Sequence, residues 1–345
     1  MPCGTPITLG KNHLIFGPKR PHPCFLEFGS MNQTIPVVSL KSYEQGSAND
    51  RDRFISTVGH ALTDLGFFSV EDHGVDLKLI DKAYSIAHEF FALPDEKKLT
   101  YEDSTIKGQR GYTSYGREHA KDSKAPDLKE FWHVGRELSP GHHLKRVYPD
   151  NIWPREIPEF KTVYLELYRQ IEQCAMTLLE ACALYIGESK DRFTSIAEDG
   201  NSILRIIHYP PIPADRDPSS IRAGAHEDIN LITLLCEATA GGLELLQRDG
   251  TWRPIHALKG QIVCDTGDMI QNLTNGVLKS TTHRVVNPDN SRERRFSMPF
   301  FMHPRAEASL KPLESCVKRQ DGKVKYRDIT AGDYLMERLK EIGLT

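Results

Sequence analysis

The second half of the chain consists of short apolar runs separated by Gly, Pro, Asn and Asp, and this pattern restricts the fold more than any other feature. Asp249-Gly250 is a strong hairpin signal between two of these runs. The pattern predicts an antiparallel barrel or sandwich of about eight strands with helices packed outside it. The fold class is therefore α+β with a mainly β core. The runs are SILRIIHY, LITLL, GLELLQ, TWRPI, QIVCDTGDMIQNL, KSTTHRVVN and RRFSMPFFMH.

The first half of the chain contains longer segments with the 3.6-residue period of amphipathic helices. One such segment stops at Gly66 and leads into the strand-like FFSVEDHGV. A second ends before Pro94, because proline breaks a helix interior. The longest runs roughly from Ile157 to Ile186 and is expected to support the β core.

These patterns divide the chain into four parts. Residues 1–34 are rich in Pro, Gly and His without useful periodicity, which predicts a flexible extension or, alternatively, a start assigned upstream of the true one, since Met31 directly precedes the first strand-like run. Removing residues 1–30 is expected to leave activity and melting temperature almost unchanged. Residues 35–190 are predicted to form a helical and strand region that packs on a β core over residues 191–310. Residues 311–345 are predicted to form a C-terminal helical segment.

Composition excludes several function classes. The 345 residues carry 44 basic and 47 acidic side chains, so the net charge of −3 creates no field that attracts a polyanion, and nucleic acid is not an expected partner. Seven cysteines form no C-x-x-C pair and leave an odd one over, which favours reduced thiols in a cytoplasmic protein. No run approaches the roughly 18 apolar residues of a membrane span, and the first residues given lack the apolar core that a secretory signal has.

The stretch AHEDINLITLL places two metal-ligand types two positions apart. Residues i and i+2 of a strand point to the same face, so His226 and Asp228 face one point while Glu227 faces away. A third ligand is available from another β-like run, KSTTHRVVN, at His283. Two imidazoles and one carboxylate on one side of an ion are typical of non-haem Fe(II) oxygenases, although zinc accepts the same ligands.

A second pair of polar residues lies on the strand-like RRFSMPFF. Arg295 and Ser297 also share a face by their i, i+2 spacing, whereas Arg294 is expected to point out of the barrel. A guanidinium binds a carboxylate with two hydrogen bonds, and a neighbouring hydroxyl adds a third. The pattern therefore predicts a site for a carboxylate near the metal ligands.

The order of these motifs closely resembles the isopenicillin N synthase-like family of Fe(II)/2-oxoglutarate-dependent dioxygenases. The resemblance extends over most of the chain through IPVVSL, GFFSVEDHGV, H-x-D, GGLELLQRDGTWRPI, TGDMIQNLTNG, STTHRVV and R-x-S. It implies a distorted double-stranded β-helix, or jelly-roll, with flanking helices. It also implies an oxygenase that hydroxylates, desaturates or cyclises a small molecule with release of succinate and CO2.

The resemblance assigns roles to individual residues. It makes His226, Asp228 and His283 the ligands of Fe(II), with O2 as the oxidant. Arg295 and Ser297 match the family's R-x-S motif, which holds the distal carboxylate of the co-substrate 2-oxoglutarate. A tyrosine that also contacts this carboxylate in several members is matched by Tyr209.

Two residues depart from the pattern of the 2-oxoglutarate users. Plant-type members tend to have Asn where this chain has Ile207, and Glu227 gives HED, as in the synthase itself. The synthase takes all four electrons from its substrate and uses R-x-S to hold that substrate. A synthase-like oxidase that does not use 2-oxoglutarate is therefore one alternative, and a zinc-dependent hydrolase with the same three ligands is another. GGLELLQRDGTWRPI and TGDMIQNLTNG favour 2-oxoglutarate.

Candidate substrate residues come from GQRGYTSYGREHA and KEFWHVGRE, which occupy the places where relatives line the substrate pocket. Arg110, Tyr112, Tyr115 and Trp132 are the candidates. The alternative interpretation is structural: Tyr112 and Trp132 belong to the core, and Arg110 is a solvated loop charge. An Arg110 in the pocket would pair with an anionic substrate such as an amino acid.

Overall fold

The computed structural model describes residues 35–118, 125–217, 219–256, 258–290 and 292–341, so the predicted extension over residues 1–34 lies outside the described residues. Twelve strands are present in these described ranges. They are β1 Val37–Ser39, β2 Phe67–Glu71, β3 Gly111–Thr113, β4 Glu130–Gly135, β5 Ile203–Tyr209, β6 Ala223–His226, β7 Ile232–Cys236, β8 Leu243–Leu246, β9 Trp252–Pro254, β10 Ile262–Thr266, β11 His283–Val285 and β12 Arg295–Met302.

The strands form two sheets. The larger sheet has eight strands in the order β1-β2-β10-β7-β12-β5-β4-β3, and the smaller has four in the order β6-β11-β8-β9. Each pair within the described residues is antiparallel except β1 with β2, which is parallel. The predicted hairpin at Asp249-Gly250 joins β8 to β9, and Gly250 adopts a φ of +82° that favours glycine. This architecture is the α+β, mainly β arrangement that the sequence predicts.

The larger sheet is buried on both faces, and its two faces belong to different cores. Side chains such as Trp132 and Ile206 pack with the helices. Their strand neighbours Phe131 and Ile207 point the other way and join the apolar core shared with the smaller sheet, including Leu245. We call these the outer and inner faces of the larger sheet. Because successive residues alternate between faces, register alone decides which side chains reach the space between the sheets.

Helices cover the outer face. The longest, α5, begins at Phe160, three residues after the predicted start, and packs Tyr168 edge-on against Phe300 of β12 at 4.9 Å between ring centroids. No helix in the described part of the chain is long and apolar enough to cross a membrane. The helices are α1 Leu40–Gln45, α2 Ala48–Asp64, α3 Leu77–Phe91, α4 Asp95–Leu99, α5 Phe160–Tyr185, α6 Thr194–Ala197, α7 Asp268–Leu273, α8 Glu314–Arg319 and α9 Ala331–Glu341.

The run QIVCDTGDMIQNL is a strand only in its first half, which corrects the β-like interpretation of the whole segment. The strand β10 ends at Thr266, and α7 begins at Asp268. The helix start packs on the loop after β6, since the Asp268 amide donates to the Asp228 carbonyl at 2.7 Å and the Met269 amide to the Asn230 carbonyl at 3.1 Å. Between them, Gly267 lies so close to Asn230 that an added Cβ would approach its carbonyl oxygen to 2.4 Å. This turn therefore fixes the backbone that carries Asp228.

Candidate active site

His226, Asp228 and His283 converge between the two sheets. The two histidines are directly opposite each other in the antiparallel pair β6–β11, with 4.4 Å between ring centroids. Asp228 lies two residues beyond the end of β6, and its Oδ1 is 3.8 Å from His226 Nε2 and 3.7 Å from His283 Nε2. One ligand atom from each residue lies within 4.8 Å of the other two. Two imidazoles and one carboxylate at this separation fit a divalent transition metal.

Backbone carbonyls determine which imidazole nitrogen is available to a metal. His226 Nδ1 is 2.7 Å from the Gly224 carbonyl, and His283 Nδ1 is 3.2 Å from the Thr281 carbonyl. A carbonyl oxygen only accepts, so each Nδ1 carries the proton and donates. With the proton on Nδ1, Nε2 is the nitrogen of each ring that faces Asp228 and is able to bind a metal.

The carboxylate of Asp228 is held by residues that the sequence interpretation did not single out. Thr233 of β7 donates its hydroxyl to Asp228 Oδ2, and Asn230 Nδ2 donates to Thr233 Oγ1 at 2.9 Å. Asp228 and Asn230 are both buried. Asp265 of β10 pairs across from Thr233, and its burial together with the nearby Asp228 raises the pKa of the Asp265 carboxyl well above its ordinary value. The triad therefore has a prearranged polar support.

Arg295 and Ser297 share the inner face of β12, as their spacing predicts, and the neighbouring Arg294 is exposed. The Arg295 side chain is 2% exposed; its Nη1 donates to Ser297 Oγ at 3.1 Å and its Nε to the Ala240 carbonyl at 3.1 Å. Tyr209 is its partner in the β12–β5 pair, and Arg295 Cζ lies 4.9 Å from the Tyr209 ring centroid. Among the described residues no carboxylate pairs with Arg295.

A cavity of about 180 Å³ adjoins this guanidinium. Its wall includes Leu235, Leu243, Ile255 and Val263, which are apolar, together with Arg295. Leu235 and Thr233 are consecutive inner-face residues of β7, so the wall continues from the cavity to the residue that holds Asp228. The inner face of β7 thus connects the cavity beside Arg295 with the support of the metal ligand Asp228.

Two of the predicted substrate residues lie on the outer face, which corrects the expectation that they line a pocket beside the triad. Trp132 is fully buried and packs on Phe90 at 4.8 Å and Phe160 at 5.0 Å between ring centroids. Tyr112 pairs with Trp132 across β3–β4 and donates its hydroxyl to Glu130. Both side chains belong to the core between sheet and helices. The structural interpretation of Tyr112 and Trp132 is the one that their placement supports.

Arg110 is also inside the protein rather than at the triad. Its side chain is fully buried, with Nη2 donating to Asn201 Oδ1 at 2.7 Å and Nη1 to the Gln109 carbonyl at 2.7 Å. It packs so closely on Gly135 that a Cβ there would overlap the guanidinium. Burial lowers the pKa of Arg110 to about 10. Neither a pocket position nor a solvated loop charge describes this residue. Tyr115 is 39% exposed.

A different arginine occupies the inner face. Arg205 of β5 lies with its Cζ 4.3 Å from the Phe131 ring centroid and 5.3 Å from that of Phe301. Its guanidinium also contacts both carboxylate oxygens of Glu118 at 3.3 and 3.4 Å, and Lys129 Nζ lies 2.6 Å from the same carboxylate. Phe301 is the cross-strand partner of Thr233, the residue that holds Asp228. One feature of the sequence could have indicated the position of Arg205. It is four residues from Tyr209 on the same strand, and residues an even number apart share a face.

Comparison with known proteins matches both halves of the chain to families of non-haem oxygenases. Residues 35–156 match the family described as non-haem dioxygenase in morphine synthesis N-terminal, and residues 200–304 match the 2OG-Fe(II) oxygenase superfamily. A homoarginine-6-hydroxylase of Arabidopsis thaliana is 31% identical over 275 residues, which cover 78% of this chain and 82% of the relative. The chain belongs to the 2-oxoglutarate-Fe(II) oxygenase family.

Solved structures of this family share the fold. A 2OG-Fe(II) oxygenase family protein from Caulobacter crescentus is 44% identical, with a TM-score of 0.80 over 90% of this chain and 99% of that one. A full-length Neurospora crassa protein solved with alpha-KG and thymine is 27% identical, with a TM-score of 0.79 over 90% of this chain and 98% of that one. The predicted jelly-roll with flanking helices is confirmed.

The family membership also decides the chemistry. The protein is a non-haem Fe(II)- and 2-oxoglutarate-dependent dioxygenase that oxidises small molecules, and Fe(II), 2-oxoglutarate and O2 are its cofactor and co-substrates. The expectation that 2-oxoglutarate is used, in preference to the synthase-like oxidase or the zinc hydrolase, is confirmed. Glu227 does not prevent this use: it is exposed and accepts a hydrogen bond from Thr282 Oγ1 at 2.5 Å.

Proposed function

We propose that this oxygenase holds Fe(II) with His226, Asp228 and His283 and 2-oxoglutarate with Arg295, Ser297 and Tyr209. The observation that carries the proposal is the convergence of three ligand atoms within 4.8 Å beside a buried guanidinium that has no carboxylate partner among the described residues. When bound, Fe(II) and 2-oxoglutarate supply O2-dependent oxidation of a second molecule, with release of succinate and CO2.

Each residue of the site has a physical task. Arg295 binds the distal carboxylate through its unoccupied N–H groups, and its hydrogen bonds to Ser297 and Ala240 keep it from turning away. The apolar wall formed by Leu235, Leu243 and Val263 excludes water from the chain of the co-substrate. Thr233 of β7 keeps the Asp228 carboxylate in place through its hydroxyl.

The prime substrate is a small organic molecule that is hydroxylated, desaturated or cyclised, rather than a nucleic acid. We place it against Phe131, Arg205 and Phe301 instead of Arg110, Tyr112 and Trp132. The support for this placement is that Phe301 is the neighbour of Thr233 on the inner face and that Arg205 stacks between the two aromatic rings. Aromatic edges beside a guanidinium suit a substrate that has a flat part to pack on the rings and a polar group to bind the guanidinium.

Binding measurements without turnover separate the two halves of the site. Under anaerobic conditions, His283→Ala is expected to lose Fe(II) binding, whereas Arg295→Leu is expected to keep Fe(II) and to bind 2-oxoglutarate about 100-fold more weakly. Arg294→Leu removes the same charge from the exposed neighbouring position and serves as the matched control. Loss of Fe(II) in Arg295→Leu, or unchanged 2-oxoglutarate affinity, would overturn the assignment of the clamp.

A further inference from the structure

A second arginine is buried beside the proposed carboxylate site. Arg222 immediately precedes β6, and its side chain is 1% exposed. One of its terminal nitrogens, Nη2, donates to the backbone carbonyl of Glu293, but its Nε has no hydrogen-bond partner among the described residues. A buried N–H of a charged group without an acceptor is destabilising, because the group has lost its water. The Nε of Arg222 is therefore available to donate a hydrogen bond to a bound ligand.

Arg222 and Arg295 lie on the same aromatic ring. Arg222 Cζ is 5.8 Å and Arg295 Cζ 4.9 Å from the centroid of Tyr209. Burial, together with the positive charge of Arg295, lowers the pKa of Arg222, and the Glu293 carboxylate offsets part of this effect. Within the described residues neither guanidinium forms an ion pair with a carboxylate side chain, although Arg205 and Lys129 on the same inner side of the molecule both do. Two buried guanidinium groups beside one ring, neither of them in an ion pair within the described ranges, form a site that a bound anion would stabilise.

We propose that Arg222 is a second binding residue for 2-oxoglutarate, with its Nε donating to the distal carboxylate that Arg295 also binds. The inference rests on the proposed function of Arg295, and it adds a residue that neither the H-x-D nor the R-x-S pattern contains. Each arginine has its own backbone anchor, Ala240 for Arg295 and Glu293 for Arg222. The negative charge of the distal carboxylate would reduce the repulsion between the two guanidinium groups.

The distinguishing experiment compares two ligands that differ in one carboxylate. Calorimetric titration of Mn(II)-loaded protein with 2-oxoglutarate and with 2-oxopentanoate, which has the same five-carbon chain without the distal carboxylate, measures binding without turnover. Arg222→Leu is expected to weaken 2-oxoglutarate binding by about 10- to 100-fold, the range for one charge-assisted hydrogen bond, and to leave 2-oxopentanoate binding unchanged. Arg294→Leu, the exposed control, is expected to change neither.

Arg222→Gln keeps a donor for the Glu293 carbonyl while removing the charge, so it is measured alongside Arg222→Leu in case the latter does not fold. It is expected to weaken 2-oxoglutarate binding selectively as well. Equal weakening of both ligands would show that Arg222 only supports the local fold and would overturn the inference, as would unchanged affinity for both. If Arg295→Leu also had no effect, the proposed function itself would fail, so the two failures are distinguishable.

Discussion

Thr233→Val tests whether the support of Asp228 matters for iron binding. Valine has nearly the volume of threonine and suits a strand, so β7 is expected to keep its position. The substitution removes the hydroxyl that donates to Asp228 Oδ2 and accepts from Asn230 Nδ2. The carboxylate then loses the hydrogen bond that orients it toward His226 and His283.

The size of the expected loss in iron affinity follows from the burial of Thr233 and Asp228. Thr233 and Asp228 are only 3% and 6% exposed, so water does not readily replace the missing hydroxyl. A hydrogen bond to a charged group contributes about 1.5–3 kcal/mol, and loss of such a supporting contact reduces metal affinity by about 10- to 100-fold. The two ranges agree, because about 1.4 kcal/mol corresponds to a factor of ten.

Anaerobic Fe(II) titration of wild type and variant measures this effect directly. Thr177→Val is the matched control, since Thr177 is also buried but its hydroxyl donates to the Gln173 carbonyl within α5. We expect the iron affinity of Thr233→Val to fall by about 10- to 100-fold and that of Thr177→Val to stay at the wild-type value. An unchanged affinity in Thr233→Val, with an intact melting transition, would refute the role of Thr233.

Three further predictions concern the clamp, the buried ion pairs and the core. Ser297→Ala should weaken 2-oxoglutarate binding by about 2- to 10-fold in the same calorimetric titration; no change would exclude the hydroxyl from the clamp. Despite its burial, Glu118 has a lowered carboxyl pKa because of Arg205 and Lys129, so its contribution to stability is present above about pH 4.3, the unfolded value, and is lost as the pH falls further. Melting curves of Glu118→Gln from pH 7 to pH 3 should therefore show lower stability at neutral pH and a flatter acid slope, and a wild-type slope would contradict this. Trp132→Ala should lower the free energy of unfolding by about 3–5 kcal/mol in denaturant titrations, whereas a stable variant with altered substrate affinity would restore Trp132 to the pocket.

The sequence predicted those parts of the site that follow from strand alternation. Residues two apart on a strand share a face. This rule was sufficient to predict that Arg295 and Ser297 lie on the same face of their strand and that Arg294 is exposed. The turn after β6 and the strand position of His283 could also be predicted from the sequence, because each lies next to an apolar run that forms a strand. These features are local in sequence, and the tertiary structure preserves them.

The substrate residues could not be predicted in the same way. Every residue of β4 is buried, so no polar and apolar alternation shows that Phe131 faces inward and Trp132 outward. Arg110 was a candidate because its segment matches one that lines the substrate pocket in relatives, yet its burial depends on Asn201 and on the absence of a side chain at Gly135, both distant in sequence. Thr233, Asn230 and Arg222 were missed for the same reason, since their roles depend on contacts across strands.

In the proposed site, the triad and the carboxylate clamp together support an Fe(II)- and 2-oxoglutarate-dependent oxidation. Anaerobic addition of Fe(II) and then 2-oxoglutarate to the wild-type protein should produce a weak visible charge-transfer band, and admission of O2 should then discharge the band and yield succinate. His283→Ala should give neither the band nor succinate. A wild-type protein without the band, or a His283→Ala variant that retains it at full intensity, would contradict the assignment of the triad as the iron site.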